Sequence, residues 1–307
     1  MLDQISKNQS VISFPGFGIG DFIVNKIAVK IGPLEIRWYG IIIALGMVLA
    51  FLYAGYRCKK NNIKFDDMID LGLCAVIFGV IGARLYYVIM EHENYHSFME
   101  VIAIWEGGLA IYGGVIGGAV AVFVASKIKK MNFPLCADMI LPGVMIAQAL
   151  GRWGNFFNGE AYGAAVAENS PLYFLRMGIF PNNIEGVYGM AYVHPTFLYE
   201  SIWNVIGFVL INVLWNKGIK KFDGEVGLWY VTWYGFGRMF IEGLRTDSLY
   251  VGSIRISQLI GFLCLVVGVT LITVIRINLY KKAKACHENV HYENEEEKEI
   301  EEEKENG

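Results

Sequence analysis

The chain has 307 residues, 55% of them apolar and 18% charged, with a mean hydropathy of +0.42 and a formal net charge of −3. A soluble domain carries about a quarter charged residues, so this composition excludes an ordinary soluble globular protein. The charge is also uneven: residues 288–307 hold ten glutamates and two lysines, which leaves the rest of the chain at about +5. Residues 1–37 lack the short apolar core and small-residue cleavage site of a signal peptide. Within them, residues 14–37 mix Phe, Ile and Val with Gly and Pro, and read as an amphipathic segment lying on the outer face of a membrane. Three charge-free runs follow at 38–56, 107–126 and 256–275, each close to the roughly 20 apolar residues that a bilayer core needs as helix. Four further runs each contain one charged residue: 71–90 with Arg84, 139–157 with Arg152, 197–215 with Glu200 and 226–241 with Arg238. The predicted fold is therefore an all-α polytopic membrane protein. Seven transmembrane helices form a body over residues 38–284, residues 161–193 make a small outer head, and residues 285–307 form an acidic, disordered tail.

Loop charges set the expected orientation. Arg57, Lys59, Lys60 and Lys64 lie between the first two spans, Lys127, Lys129 and Lys130 between the third and fourth, and Lys217, Lys220 and Lys221 between the fifth and sixth. Arg276, Lys281, Lys282 and Lys284 follow the seventh, whereas segment 161–193 has Arg176 alone. Basic loops stay in the cytoplasm, so the N-terminus is expected outside and the tail inside. The five cysteines (58, 74, 136, 264 and 286) show no CxxC spacing, and neither a disulfide nor a cysteine metal site is expected. HExxH, GxSxG and P-loop patterns are missing from the sequence.

Charged groups inside a membrane are costly and mark functional sites. In "GRWGNFFNGE", residues 151–160, Gln148, Arg152 and Asn155 recur at i, i+4 and i+7 on one helical face. Glycines at 151, 154 and 159 allow close approach, and an arginine flanked by carboxamides suits a phosphate or carboxylate. The alternative is that Arg152 only pairs with a carboxylate on a neighbouring helix. In "YGFGRMFIEGLR", residues 234–245, Tyr234, Arg238, Glu242 and Arg245 follow the same spacing, with two cations around one anion. That pattern fits either an anionic partner or an intrahelical ion-pair ladder. "HPTFLYE", residues 194–200, brings His194 to a helix entrance as a hydrogen bonder or titrating base, with Glu200 placed to balance an arginine. Arg84 follows Gly79 and Gly82 in the second span and is a third candidate cation. "RWYG", residues 37–40, has the aromatic pair of a membrane interface. "WEGGLAIYGGVIGG", residues 105–118, has GxxxG spacing for helix packing and sets the Tyr112 hydroxyl within it. Arginines with tyrosines and glycine-lined helices make a site suited to a lipid phosphate.

The order of "RWYG", "GGLAIYGG", "GRWGNFFNGE", "HPTFLYE" and "YGFGRMFIEGLR" resembles that of the bacterial prolipoprotein diacylglyceryl transferases, from about residue 14 to residue 284. The resemblance implies a transferase of the bacterial cytoplasmic membrane. It moves the diacylglyceryl group of phosphatidylglycerol to the lipobox cysteine of a prolipoprotein signal peptide and releases glycerol-1-phosphate. Its partners are phosphatidylglycerol, prolipoproteins and membrane lipids, with no nucleic acid, no cofactor and no metal. By the same resemblance Arg152 and Asn155 hold the headgroup, and Arg238 and Arg245, ordered by Glu242, stabilise the transferring phosphate. Tyr39 and Tyr234 line the pocket, and Glu160 and Glu200 hold the arginines. Gly159, His194 and Arg84 complete the substrate-binding set. Tyr112 stands where many members carry a histidine that is a candidate base. Tyrosines ordinarily titrate at about 10, so the base is either elsewhere, at His194 or a glutamate, or dispensable beside arginines that favour the thiolate. The alternative function is a transporter or binding protein for an anionic lipid or phosphate compound.

Overall fold

The computed structural model describes residues 5–246, 250–252 and 254–305; the side chains of Glu106, Val251 and residues 287–305 lie outside the description. The helices are α1 Trp38–Lys60, α2 Phe65–Met90, α3 Phe98–Ile102, α4 Ile111–Ile128, α5 Phe133–Asn158, α6 Thr196–Asn216, α7 Glu225–Ile241 and α8 Ile256–Glu305. Among the described residues six helices are long and apolar enough to cross a membrane: α1, α2, α4, α5, α6 and the Ile256–Cys286 part of α8. Such runs become helices because lipid offers the backbone no hydrogen-bond partner, and a helix satisfies its own. The seventh predicted span, α7, has only 17 residues. It packs against α5, α6 and α8, while α1 lies along α5 and α2 along α4.

The α2–α4 seam shows why glycine is needed. A Cβ on Gly82 would strike the Gly113 carbonyl, and one on Gly117 would strike the Phe78 carbonyl. Backbone is packed on backbone here, as small-residue motifs permit between membrane helices.

Two expectations are corrected. The N-terminal segment is not a single amphipathic piece but four strands: β1 Gln9–Phe14, β2 Ile19–Asn25, β3 Ile27–Ile31 and β4 Leu34–Arg37. β1 also pairs with β5 Met177–Phe180, which pairs with β6 Ala191–Val193, giving an antiparallel sheet of order β2-β1-β5-β6. β3 and β4 form a separate hairpin, and β7 Tyr250–Val251 pairs with β8 Ile254–Arg255. Segments rich in Val, Ile and Phe favour strands, but β1 finds its β5 partner far along the chain, where local periodicity carries no signal. The second correction concerns residues 285–305, whose backbone continues α8 where a disordered tail is expected. Glu and Lys are good helix formers, and extending an existing helix needs no new nucleus.

The sheet caps one end of the bundle. Ile12, Val24, Met177, Ile179 and Val193 bury against Tyr162 and Phe197, with Phe156 and Phe157 of α5 packed alongside. This fixes the ends of α5 and α6 under the sheet. At the opposite end a second polar network ties α5, α7 and α8 together. Asp138, fully buried, accepts the amides of Gly224 and Gly227 at 2.8 Å each and the Lys220 ammonium at 2.9 Å. Arg276 reaches the fully buried Glu225 at 2.5 Å.

Candidate active site

Three guanidinium groups meet one carboxylate beneath the sheet. Glu200, in the second turn of α6, has a side chain only 8% exposed. It accepts Arg152 Nη2 of α5 at 2.5 Å, Arg238 Nη1 of α7 at 3.2 Å and Arg245 Nη1 at 3.3 Å. Glu242, almost fully buried, takes Arg238 Nη2 at 2.7 Å. Among these five side chains the cations outnumber the carboxylates by one, in a place partly closed to water. Buried carboxylates of this kind orient the arginines in advance, so they need no rearrangement when an anion arrives.

The helical spacing that predicts one face for Arg238, Glu242 and Arg245 is corrected in part. α7 ends at Ile241, residues 242–244 form a 3-10 turn, and Arg245 is extended. Arg245 is brought to the same carboxylate by the segment after Asn158. Gly163 bridges Arg245, and the Ala164 amide donates to the Leu244 carbonyl at 2.7 Å. Gly163 and Ala164 also exchange backbone bonds with His194, and Thr196 Oγ1 donates to the Ala161 carbonyl at 2.7 Å. A strap over residues 161–164 thereby joins the ends of α5, α6 and α7 beside Glu200.

Deeper in the bundle, α6 and α7 are locked by a tryptophan pair. The Trp203 and Trp233 rings stack at 4.1 Å, and each indole N–H donates to the other's backbone carbonyl, at 3.1 and 2.9 Å. Gly237 and Gly207 leave the space these rings fill. The lock lies one turn below Glu200 and Arg238 and holds their relative height.

The other expected residues fall into two groups. Asn155 stands beside Arg152, its Oδ1 at 3.5 Å from Arg152 Nη1. Tyr234 lies within electrostatic range of Arg238, Glu200, Arg152 and Tyr112. The Tyr112 hydroxyl is 2.8 Å from Ser257 Oγ, joining α4 to α8. Glu160 holds two carboxamides, accepting Asn155 Nδ2 at 3.2 Å and Asn158 Nδ2 at 3.0 Å. Gly159 is the left-handed cap of α5 at φ +62, where an added Cβ would meet Ser10. Tyr39 lays its ring on Gly154 of α5. Gln148, one turn before Arg152, donates to Tyr230 rather than to the arginine set. His194 is buried, its Nδ1 3.2 Å from the Tyr199 hydroxyl, and burial pushes its imidazole below the ordinary 6.5. The Arg84 guanidinium is taken up by the main-chain carbonyls of Glu100 and Val101 in α3 and of Gly107 and Gly108 in the loop before α4.

Sequence reasoning misses Ser257, Arg255 and the tryptophan pair. Arg255 donates to the Glu242 carbonyl at 2.6 Å and to the Tyr250 hydroxyl at 2.7 Å. Its position at the head of a span reads as an ordinary interfacial cation.

Residues 26–274 match the model of the prolipoprotein diacylglyceryl transferase family. The phosphatidylglycerol–prolipoprotein diacylglyceryl transferase 1 of Clostridium perfringens is 44% identical over 269 residues, covering 87% of this chain and all of the relative. The phosphatidylglycerol–prolipoprotein diacylglyceryl transferase of Streptococcus mutans is 46% identical over 261 residues, 83% of this chain and 97% of its own length. That of Clostridium botulinum is 45% identical over 265 residues, 85% and 99% respectively. With most of its length, including every residue of the arginine cluster, inside these matches, the chain belongs to the prolipoprotein diacylglyceryl transferase family.

Proposed function

We propose that this chain transfers the diacylglyceryl group of phosphatidylglycerol to the cysteine thiol of a prolipoprotein, at the lipobox of its signal peptide, in the bacterial cytoplasmic membrane. The observation that carries this reading is the convergence of Arg152, Arg238 and Arg245, from three different segments, on Glu200. The sheet-bearing end faces outward, because the basic loops gather at the other end.

In this reading the thiol sulfur forms a bond to the glyceryl carbon while that carbon's bond to the phosphate oxygen breaks. The electron pair leaves with the phosphate, and glycerol-1-phosphate takes up the proton that the thiol loses. Negative charge therefore grows on the departing phosphate, and Arg238 and Arg245 would stabilise it there. Arg152 and Asn155 hold the headgroup. Glu200 and Glu242 offset the mutual repulsion of the guanidinium groups and hold them together. The same cations favour the thiolate, whose thiol otherwise has a pKa near 8.5. Tyr112, bonded to Ser257, is assigned the role of orienting the incoming thiol.

The test is a labelled-phosphatidylglycerol assay with a lipobox peptide in detergent or vesicles. Label on the peptide cysteine supports transfer. Uptake of label into vesicles without peptide labelling supports transport instead, and binding without either supports a receptor for an anionic lipid. Activity is expected to persist in a strong chelator, and its loss there would contradict this mechanism.

A further inference from the structure

Arg84 is 7% exposed on α2. Its Nε donates to the Val101 carbonyl at 2.8 Å, Nη2 to Glu100 at 2.6 Å, and Nη1 to Gly107 and Gly108 at 2.6 and 3.0 Å. A planar fork with several donors can gather four carbonyls in this way, whereas a lysine ammonium is a single point on a flexible stem. The gathered loop leads directly into α4. The Ala110 amide donates to the Ala83 carbonyl at 3.0 Å, and Gly113 lies so close to Gly82 and Tyr86 that no Cβ fits. Gly108, at φ +73, has no side chain, and a Cβ there would fall 2.6 Å from Arg84 Nη1. The first turn of α4 is thus seated on α2 around Arg84, and that turn carries Tyr112, which reaches Ser257 across the bundle.

We propose that Arg84 is a positioning residue for the transfer reaction: by collecting the carbonyls of Glu100, Val101, Gly107 and Gly108 it fixes the first turn of α4, and so holds the Tyr112 hydroxyl at Ser257. The inference rests on the transferase reading above and deepens it. The hydrogen bonds of Arg84 go to main-chain carbonyls, so its loss is expected to affect the chemical step and spare lipid binding.

The experiment measures kcat and KM for phosphatidylglycerol in the labelled-peptide assay, with the full-length protein carrying Arg84→Lys, Arg84→Gln or Gly108→Ala, each alone and combined with Tyr112→Phe. A displaced catalytic group costs on the order of 10²-fold, so kcat is expected to fall by about 10- to 100-fold in the Arg84 variants with KM nearly unchanged. Gly108→Ala, which presses a methyl group towards the guanidinium, should move kcat in the same direction. In the Tyr112→Phe background the Arg84 substitutions should add no further loss, because the group they position is gone. Hydrogen exchange of the amides at 108–113 should quicken in Arg84→Gln while that of α6 stays as in the parent. A rise in KM with kcat kept would assign Arg84 to lipid binding and overturn the proposal. Independent, multiplying losses with Tyr112→Phe, full activity of Tyr112→Phe alone, or failure of all three variants to fold would also overturn it. If the parent protein itself labels no peptide, the transferase reading falls, an outcome separate from any of these.

Discussion

Glu200 is the single residue on which the site's geometry depends. It sits at 8% side-chain exposure among three guanidinium groups, and removing one member of a buried charge set leaves the rest uncompensated. Glu200→Gln keeps the volume but loses the charge, and should destabilise the protein by roughly 3–5 kcal/mol, read as a lowered melting temperature in detergent. Arg238→Lys keeps a charge but cannot bridge Glu200 and Glu242 at once. Its transfer rate should fall by on the order of 10²- to 10³-fold with the fold retained. His194 supplies a pH dependence. Its folded pKa lies below the ordinary 6.5 because it is buried, so at mildly acid pH the unfolded chain binds a proton that the folded chain refuses. The associated stability is full above pH 6.5 and is lost as the pH falls towards the folded value. His194→Gln should flatten that loss when melting temperatures are compared at about pH 7.5 and pH 5.5. Arg152, Glu200 and Arg238 are legible in the sequence because a charge in an apolar run has to be explained, and Arg245 because it follows Arg238 and Glu242 at helical spacing. Ser257 and Trp203 are not, since a serine at a helix start and a tryptophan within a span have ordinary explanations. Arg84 is legible as a buried cation but not as a loop organiser, because its partners are backbone carbonyls and these leave no trace in residue identity.

Among the elements, the helices follow directly from apolar runs, and the strands do not. Among the described residues six helices long enough to cross a membrane occur where six of the seven spans are expected, and the seventh expected span is the 17-residue α7. The strands β1 and β5 are separated by most of the chain, and only their pairing shows why Val11 and Ile12 are buried. The strap over residues 161–164 is equally hidden. It stitches three helix ends through backbone bonds, which any residue type can make. The α2–α4 seam is the most sensitive element contact. Gly82→Val places a branched side chain against the Gly113 backbone. The resulting overpacking should cost about 1–3 kcal/mol or more, and by shifting α4 it should depress transfer beyond the loss of folded protein, checked by melting and labelling on one preparation.

The whole molecule is polar at both ends and different at each. One end carries the sheet, the strap and the arginine cluster, and the other carries Asp138, Lys220, Glu225 and Arg276. The proposed orientation makes a direct prediction. Cys286 is exposed on the α8 side away from the sheet, while Tyr188 is 99% exposed in the segment between β5 and β6. A membrane-impermeant thiol reagent applied to intact cells should label Tyr188→Cys and spare Cys286, and permeabilisation should expose both. Labelling in the reverse pattern would invert the topology.

The brevity of α7 has a consequence for the bilayer itself. Seventeen residues rise only about 25 Å, less than the roughly 30 Å hydrocarbon thickness. With its far end pinned by Glu225 to Arg276, so short a helix is expected to leave Arg238 below the plane of the neighbouring headgroups. Lipid beside it is then expected to thin locally, at a modest energetic cost for each ångström of mismatch. A glycerophosphate sinking into that hollow meets the guanidinium groups without leaving its leaflet, and turnover should therefore slow as the acyl chains of the host vesicles are lengthened.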